Sequence, residues 1–416
     1  MKPVTTTYKD ILMLSEQHIE TVKSTIPLLE SAGSAITKHF YQRMFSHNPE
    51  LNDIFNLSHQ HSGGQSAALF NAILAYAKHI DNLPALSSAV ERIAHKHTSF
   101  NIQPQHYPIV GHHLIETLRE LAADAFTPEV EEAWTAAYGQ LASVFIDREA
   151  DLYQASTDKE GGWQGTRKFI ISNKRVESQL VTSFTLTPED GEAVADYLPG
   201  QYIGIKVAPS GHPHQEIRQY SLSDKANGRH YRISVKREQA ADSAAQTPDG
   251  VVSNYLHQSA KVGDSVELFA PAGDFHYRAT NKPVVLISAG VGITPMQAML
   301  ETLANEKFTQ AVSYLHACES PAQLSFNARV NQLSEQLQLD SHLWLNQAGT
   351  TEAGSTKVHL GLMQLETIAE QLPLTDGDFY LCGPVGFMAF VKQQLLDLGV
   401  AETAIHYEVF GPHATL

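Results

Sequence analysis

The sequence predicts three domains in series: an all-α domain, an antiparallel β barrel, and an α/β domain built on a doubly wound parallel sheet. Three observations predict it. Over residues 1–152, apolar residues recur at spacings of three and four. Over 166–278, short alternating runs are separated by Gly, Pro, Asp or Asn. Over 279–416, apolar strand candidates alternate with helical stretches, starting at a Gly-rich turn. The 416 residues also exceed what one ordinary core accommodates.

In the first region the helical stretches are Ile19–Leu29, Ile36–Phe45, Ala67–Ile80, Ala85–Ala94, Ile109–Ala123 and Val130–Tyr153. Pro27, Pro49, Pro84, Pro104, Pro108 and Pro128 punctuate them or sit in their first turns. Residues 153–165, which contain Ser, Thr, Asp, Lys and three glycines, read as a linker. The barrel strands are Phe169–Val176, Leu180–Leu186, Tyr202–Val207, Tyr220–Leu222, Tyr231–Lys236 and Val266–Phe269. Ala240–Pro248, full of small residues, reads as an enlarged surface loop. In the last region the strands are Val284–Ser288, Ala311–His316, Leu343–Leu345 and Phe379–Cys382, with a helix from about Pro295.

Composition excludes several classes. Lys plus Arg is 29 against 45 Asp plus Glu, a net charge of −16, which argues against nucleic acid or an anionic membrane as partner. No apolar run is long enough to span a bilayer, and Met1–Asp10 is polar, unlike a secretory leader. Two cysteines build no disulfide framework, which fits a reducing, cytoplasmic setting. The 21 histidines are unusual and direct attention to a metal or haem site.

Gly290-Val291-Gly292-Ile293-Thr294-Pro295 follows the apolar strand Val284–Ser288. Its glycines let the backbone approach a pyrophosphate, and Pro295 at the first helical position costs no hydrogen bond. A sheet that binds nothing could use the same tight turn. A second turn, Cys382-Gly383-Pro384-Val385-Gly386, also ends a strand, and two such turns in one sheet favour a nucleotide site. No Lys-Ser/Thr pair follows the first turn, so it is not a nucleoside-triphosphate loop. Cys382 reads either as a thiol beside a nicotinamide or as an inert buried cysteine.

Arg218-Gln219-Tyr220-Ser221, followed by such a nucleotide domain, resembles the flavin signature of the ferredoxin-reductase superfamily. The resemblance implies an Arg on the flavin pyrophosphate, a Tyr against the isoalloxazine and a Ser bonded to the ring, roles that suit guanidinium and aromatic chemistry. Pro199-Gly200-Gln201-Tyr202 and the segment Gly250 to Ser253 match its other flavin-side segments. Glu408-Val409-Phe410-Gly411-Pro412 matches its terminal aromatic segment, with Val409 where a Cys is expected. With an all-helical domain in front, the whole chain from about residue 13 resembles the flavohaemoglobins: a globin, an FAD-binding barrel and an NAD(P)-binding α/β domain.

A globin needs one proximal histidine facing its haem. Val90, Ile93, Ala94 and His97 share one helix face at i, i+3, i+4 and i+7, and His95 points about 140° away. A histidine on an apolar face can be a packed core residue or a ligand. The match of Lys96-His97-Thr98-Ser99-Phe100 to the family's proximal segment makes His97 the iron ligand. The resemblance also implies Tyr107 and Glu149 behind that histidine, Tyr41 and Gln65 as distal donors, and Phe55 and Leu69 packed on haem b. It places Lys96 and Glu408 among the redox-tuning residues.

The implied activity is nitric oxide dioxygenation: NAD(P)H reduces FAD, FAD reduces haem, and O₂ at the haem oxidises nitric oxide to nitrate. A haem–flavin reductase of hydroperoxides, or an O₂/NO carrier or sensor, are the alternatives. Small molecules (O₂, NO, NADH or NADPH) are the expected partners, with no nucleic acid, no stable membrane association, and a monomeric state. No clear basic cluster for a 2′-phosphate is visible, which leans the choice to NADH.

Overall fold

The computed structural model describes residues 14–54, 64–209, 211–239, 250–349 and 354–411. They divide into two compact units, one ending at Asp158 but including Pro213–Ile217, the other formed by Lys159–His212 and Arg218 onward.

The first unit is helical. Its α-helices are α1 (Glu16–Ser24), α2 (Ile26–Ala32), α3 (Ala35–His47), α4 (Gly64–Lys78), α5 (Ser87–Thr98), α6 (His106–Ala122) and α7 (Pro128–Thr157). Ser15 and Thr127 cap α1 and α7 by accepting from His18 N and Val130 N. The stretch read as one helix over Ile19–Leu29 is two helices. Pro27 cannot supply the N–H that would continue α1, and the Thr25 hydroxyl instead bonds Val22 O at 2.6 Å. The last helix is longer than its pattern suggested. It runs through Tyr153–Thr157, five residues read as linker, and Tyr153 anchors it by donating to Ile102 O at 2.7 Å. The core gathers Phe40, Met44, Leu51, Tyr76, Leu114 and Trp134, all nearly inaccessible.

In the second unit, strands β1 (Arg167–Val176), β2 (Val181–Pro188), β3 (Tyr202–Val207), β4 (Glu216–Ser221), β5 (Tyr231–Lys236) and β6 (Ser265–Leu268) form a sheet of order β4-β3-β6-β1-β2-β5. The Leu222–Ile233 bridge joins the edge strands, closing an antiparallel barrel. Inside lie Phe169, Phe184, Ile203, Ile233 and Leu268. Helix α8 (Val251–Gln258) lies between β5 and β6 in the chain, and the Lys174 ammonium holds its end by donating to the carbonyls of Leu256, His257 and Ala260.

The α/β part contains β7 (Val284–Ala289), β8 (Val312–Cys318), β9 (Leu339–Leu345), β10 (Lys357–Leu360), β11 (Asp378–Cys382) and β12 (Ile405–Glu408), all parallel, in the order β10-β9-β8-β7-β11-β12. Helices α9 (Ile293–Asn305), α10 (Asn327–Leu333) and α11 (Val385–Asp397) cover it. The chain winds from β7 outward on one side through β8 to β10, then returns to β11 on the other. The switch point therefore lies between β7 and β11, where a parallel sheet opens a crevice at its carboxyl edge. Strands β10 and β12, each four residues long at a sheet edge, are not signalled by the sequence pattern.

Candidate haem, flavin and nucleotide sites

In the helical unit, α5 places Ala94 in the core and His97 beside it. His95 turns away, to Glu91 at 3.1 Å, and Glu91 in turn takes both arms of Arg148 at 2.6 Å. His97 Nδ1 lies 2.6 Å from Glu149 Oε1, which assigns the ring proton to Nδ1. The Tyr107 hydroxyl donates to the same oxygen at 2.5 Å and lies 3.1 Å from Nδ1. Tyr107 enters from α6 and Glu149 from α7, so three helices build the constellation.

Burial is asymmetric: the Glu149 side chain is 3% exposed and that of His97 is 33% exposed. Burial and the Glu149 charge push the Tyr107 phenol far above its ordinary pKa, so it remains a donor. The donor set fits a haem iron. A proton fixed on Nδ1 leaves the lone pair on Nε2, and the carboxylate behind makes that lone pair more basic.

One member escaped the sequence reading. The Tyr138 hydroxyl donates to Tyr107 O at 2.6 Å, pinning the residue that pins the histidine. Tyr138, Ala142, Phe145 and Glu149 recur along one face of α7, the signal that would have found it.

On the distal side, Tyr41 is buried on α3 and stacks on Phe45, with centroids 5.9 Å apart. Leu69, on α4, lines an apolar cavity of about 60 Å³ with Phe40, Ile73 and Tyr138. Phe55 and the Gln65 side chain lie outside the described residues. Lys96 is half-buried one position before His97.

In the barrel, β4 carries Arg218, Gln219 and Tyr220 half-buried and Ser221 buried. Tyr202 starts β3, and Gly273 stands so close that a Cβ there would lie 2.9 Å from the Tyr202 ring, with φ at +123°. Gly250 opens α8, and Ser253 in its first turn bonds Gly250 O at 3.0 Å and accepts from Glu238 N at 3.2 Å. A guanidinium, an aromatic ring and two hydroxyls along one strand and one helix start are the groups a flavin dinucleotide requires. Glu408 ends the last strand half-buried; past it Val409 is buried, Phe410 is exposed and Gly411 follows, and Pro412 lies outside the described residues.

The two Gly-rich turns meet at the switch point. β7 and β11 pair in register, Ser288 opposite Cys382. A Cβ on Gly292 would overlap the Cys382 carbonyl, and one on Gly383 would stand 3.1 Å from Ala289 N. Gly292 is therefore required for the turns to touch, and Gly383 keeps the approach to Ala289 tight. Pro295 is the third residue of α9, not the first: Gly290, Val291 and Gly292 form a preceding 3₁₀ turn. It still occupies a position whose N–H has no partner within the helix. Thr294 bonds Val291 O at 3.0 Å, and Ile293 is buried. Cys382 is fully buried, and burial followed by the Glu408 charge raises its thiol well above the ordinary value, so it stays protonated. Beneath the turn, Ser288 Oγ lies 2.9 Å from His316 Nδ1, and burial lowers that imidazole to about 4, keeping it neutral.

A helical unit with a buried carboxylate behind an imidazole, joined to a barrel and a doubly wound sheet with nucleotide turns, defines a haem–flavin oxidoreductase fused in one chain. The comparisons with known proteins agree along its length. Residues 38–145 match the globin family model, 168–277 the oxidoreductase FAD-binding domain and 286–393 the oxidoreductase NAD-binding domain. A flavohemoprotein of Vibrio cholerae serotype O1 is 61% identical over 404 residues, 97% of this chain and all of that protein. The chain belongs to the flavohaemoprotein family.

Among solved structures, a flavohemoglobin from Malassezia yamatoensis with bound FAD and heme is 27% identical. It aligns over 96% of this chain and 100% of its own, with a TM-score of 0.83. The FAD/NAD-binding part of the nitric oxide dioxygenase of Vibrio cholerae O1 biovar El Tor is 53% identical. It covers 59% of this chain and 99% of its own, with a TM-score of 0.53. Among the described residues, no helix is long and apolar enough to cross a membrane.

Proposed function

We propose that the protein is an NADH-dependent nitric oxide dioxygenase, working as a monomer in the reducing cytoplasm. The observation that carries the reading is the Glu149 carboxylate 2.6 Å from His97 Nδ1, on a chain that also bears the flavin and nucleotide turns. A carrier needs neither a reductase nor so strongly donating a proximal ligand. The relative named as a nitric oxide dioxygenase supports the same choice. Two unpaired cysteines accord with the compartment.

His97 would hold the haem through Nε2, while Glu149 and Tyr107 fix its ring and its tautomer. Tyr41, buried in the core against which Leu69 packs, would donate its hydroxyl hydrogen bond to the bound substrate. Arg218, Tyr220 and Ser221 would hold the FAD pyrophosphate and ring. Gly290, Gly292 and Gly383 would admit the nucleotide pyrophosphate at the sheet edge. Bound there, FAD would supply the exchange between two-electron and one-electron chemistry, and haem would supply the iron chemistry for oxidation of nitric oxide to nitrate by O₂. The purified protein, loaded with haem and FAD, should convert nitric oxide to nitrate with consumption of NADH and O₂. NADH oxidation without nitrate would overturn the reading.

Glu319 supports the choice of NADH. It directly follows β8, the strand beside β7, and its two oxygens accept from Asn346 Nδ2 and Gln347 Nε2 at 2.9 Å each. The carboxylate remains exposed at the carboxyl edge. It can accept from ribose hydroxyls and repels a 2′-phosphate. Replacing Glu319 by Ser should shift the ratio of kcat/KM for NADH over NADPH toward NADPH by about tenfold or more, equivalent to about 1.4 kcal/mol. An unchanged ratio would remove Glu319 from the nucleotide site.

A further inference from the structure

The seam between the barrel and the α/β part holds a buried ionic cluster for which the reaction, as described so far, has no use. Glu301, on α9, is 3% exposed. Arg329, on α10, grips it with both arms, Nε to Oε1 at 2.9 Å and Nη2 to Oε2 at 2.7 Å. From the barrel, Arg232 on β5 brings Nη2 to 3.9 Å from Oε1. The same guanidinium holds Ser223, donating to its carbonyl and lying 3.2 Å from its hydroxyl, and sits over the Phe326 ring at 5.7 Å. Phe326 itself adopts a left-handed backbone, φ +60°, just before α10. Burial alone would raise the Glu301 carboxyl, but the two guanidiniums hold it below the usual carboxylate value, so it stays charged.

Two features mark this cluster as positional. First, it is costly for a stabilising device. Gln297 Oε1 and the Tyr314 hydroxyl, both buried nearby on α9 and β8, find no hydrogen-bond partner among the described residues. A buried ion pair with unsatisfied neighbours adds little stability and is better understood as specifying one arrangement. Second, its two ends lie on the two cofactor motifs. Ser223 comes two residues after Ser221, at the end of the flavin strand β4, whereas α9 begins at the Gly290–Gly292 turn. Glu301 therefore ties the flavin strand to the nucleotide helix through a single guanidinium.

We infer that Glu301 is a positioning residue that sets the pyrophosphate-binding turn, and through it the nicotinamide, within hydride-transfer range of the flavin. The assignment rests on the flavin and nucleotide reading above. The lever is short. Eight residues at 1.5 Å per residue put the start of α9 about 12 Å from Glu301, so a tilt of about 5° displaces the turn by about 1 Å. Misplacement by that amount costs roughly 100-fold in a step that needs near-contact geometry. The step is the transfer of a hydride with its two electrons from nicotinamide to flavin, the first oxidised and the second reduced. Other contacts also hold the seam. Ser178 and Ser325 hydroxyls meet at 3.0 Å, Gln179 N donates to Ala322 O at 2.8 Å, and Lys225 bonds Asn305.

The test uses the full holoprotein with Glu301→Gln and, as a second variant that leaves the buried Glu301–Arg329 pair intact, Arg232→Lys. Anaerobic stopped-flow reduction of the FAD by NADH should show a limiting rate lower by about 10- to 100-fold, with the NADH Kd changed less than about threefold. The deuterium isotope effect with 4-deuterated NADH should rise. Without any turnover, the long-wavelength charge-transfer absorbance formed when NAD⁺ is added to the photoreduced protein should weaken. An unchanged limiting rate and charge-transfer band in both variants would overturn the assignment, as would a loss seen only as weaker NADH binding. Failure of the unaltered protein to reduce its FAD with NADH would instead remove the nicotinamide reading, and the assignment with it.

Discussion

Replacing His97 by Ala is expected to give a chain that keeps its FAD but carries no Soret band and makes no nitrate. His97 offers the lone pair of Nε2 because its ring proton sits on Nδ1, which donates a hydrogen bond to Glu149. Loss of that nitrogen removes the ligand itself, so the deficit should exceed the about 10- to 100-fold typical of changing a group behind a ligand. The helix should survive. The His97 side chain is one-third exposed, and α5 is held by Ala94 in the core and by backbone bonds from Phe100 N and Ile102 N to His97 O. FAD retention follows because the flavin motif belongs to a separate compact unit. The absorption spectrum of the purified variant decides the matter: a Soret band of full intensity with unaltered nitrate production would place the ligand elsewhere. His95→Ala is the control and should leave the band intact, since His95 is spent on Glu91.

Where sequence was legible, a local rule had few competitors. The phase of Val90, Ile93, Ala94 and His97 separated one histidine from its near neighbour, and the structure turns His95 toward Arg148's partner and His97 toward Glu149. The two Gly-rich turns were visible because only glycine tolerates the approach of Gly292 to the Cys382 carbonyl. What stayed hidden depended on contacts between distant segments. Glu149 lies 52 positions from His97 in the chain, and only the family resemblance singled it out. Arg232, Glu301 and Arg329 come from a barrel strand and two helices, so no spacing rule joins them. Strands β10 and β12 are short and lean on one neighbour each, too brief for an alternating pattern. The break after Thr25 shows a local rule overridden: the apolar period continued, but the chemistry of Pro27 ended the helix.

Changing Glu149 to Gln should separate the two things this carboxylate does. The amide keeps the shape and can still accept the Nδ1 proton, so the histidine should stay oriented and the haem bound. The negative charge, however, is gone. That charge is effective because it is buried: the side chain is 3% exposed and its oxygen receives both Nδ1 at 2.6 Å and the Tyr107 hydroxyl at 2.5 Å. In a site screened from water, removing the charge weakens the basicity of Nε2, and nitrate production should fall by about 10- to 100-fold with haem content near normal. The iron–histidine stretching frequency of the ferrous protein, read by resonance Raman, should move down, a shift that a purely structural role for Glu149 would not give. Tyr107→Phe removes one donor and leaves the carboxylate, so its effect should be smaller. Its sign should be opposite at the frequency: relieved of the Tyr107 hydrogen bond, the Glu149 oxygen is left more basic toward Nδ1, so the stretch should move up. If both variants lowered the stretch equally, Tyr107 and Glu149 would act only as a scaffold for the ring, and the electron donation assigned to the carboxylate would have no support.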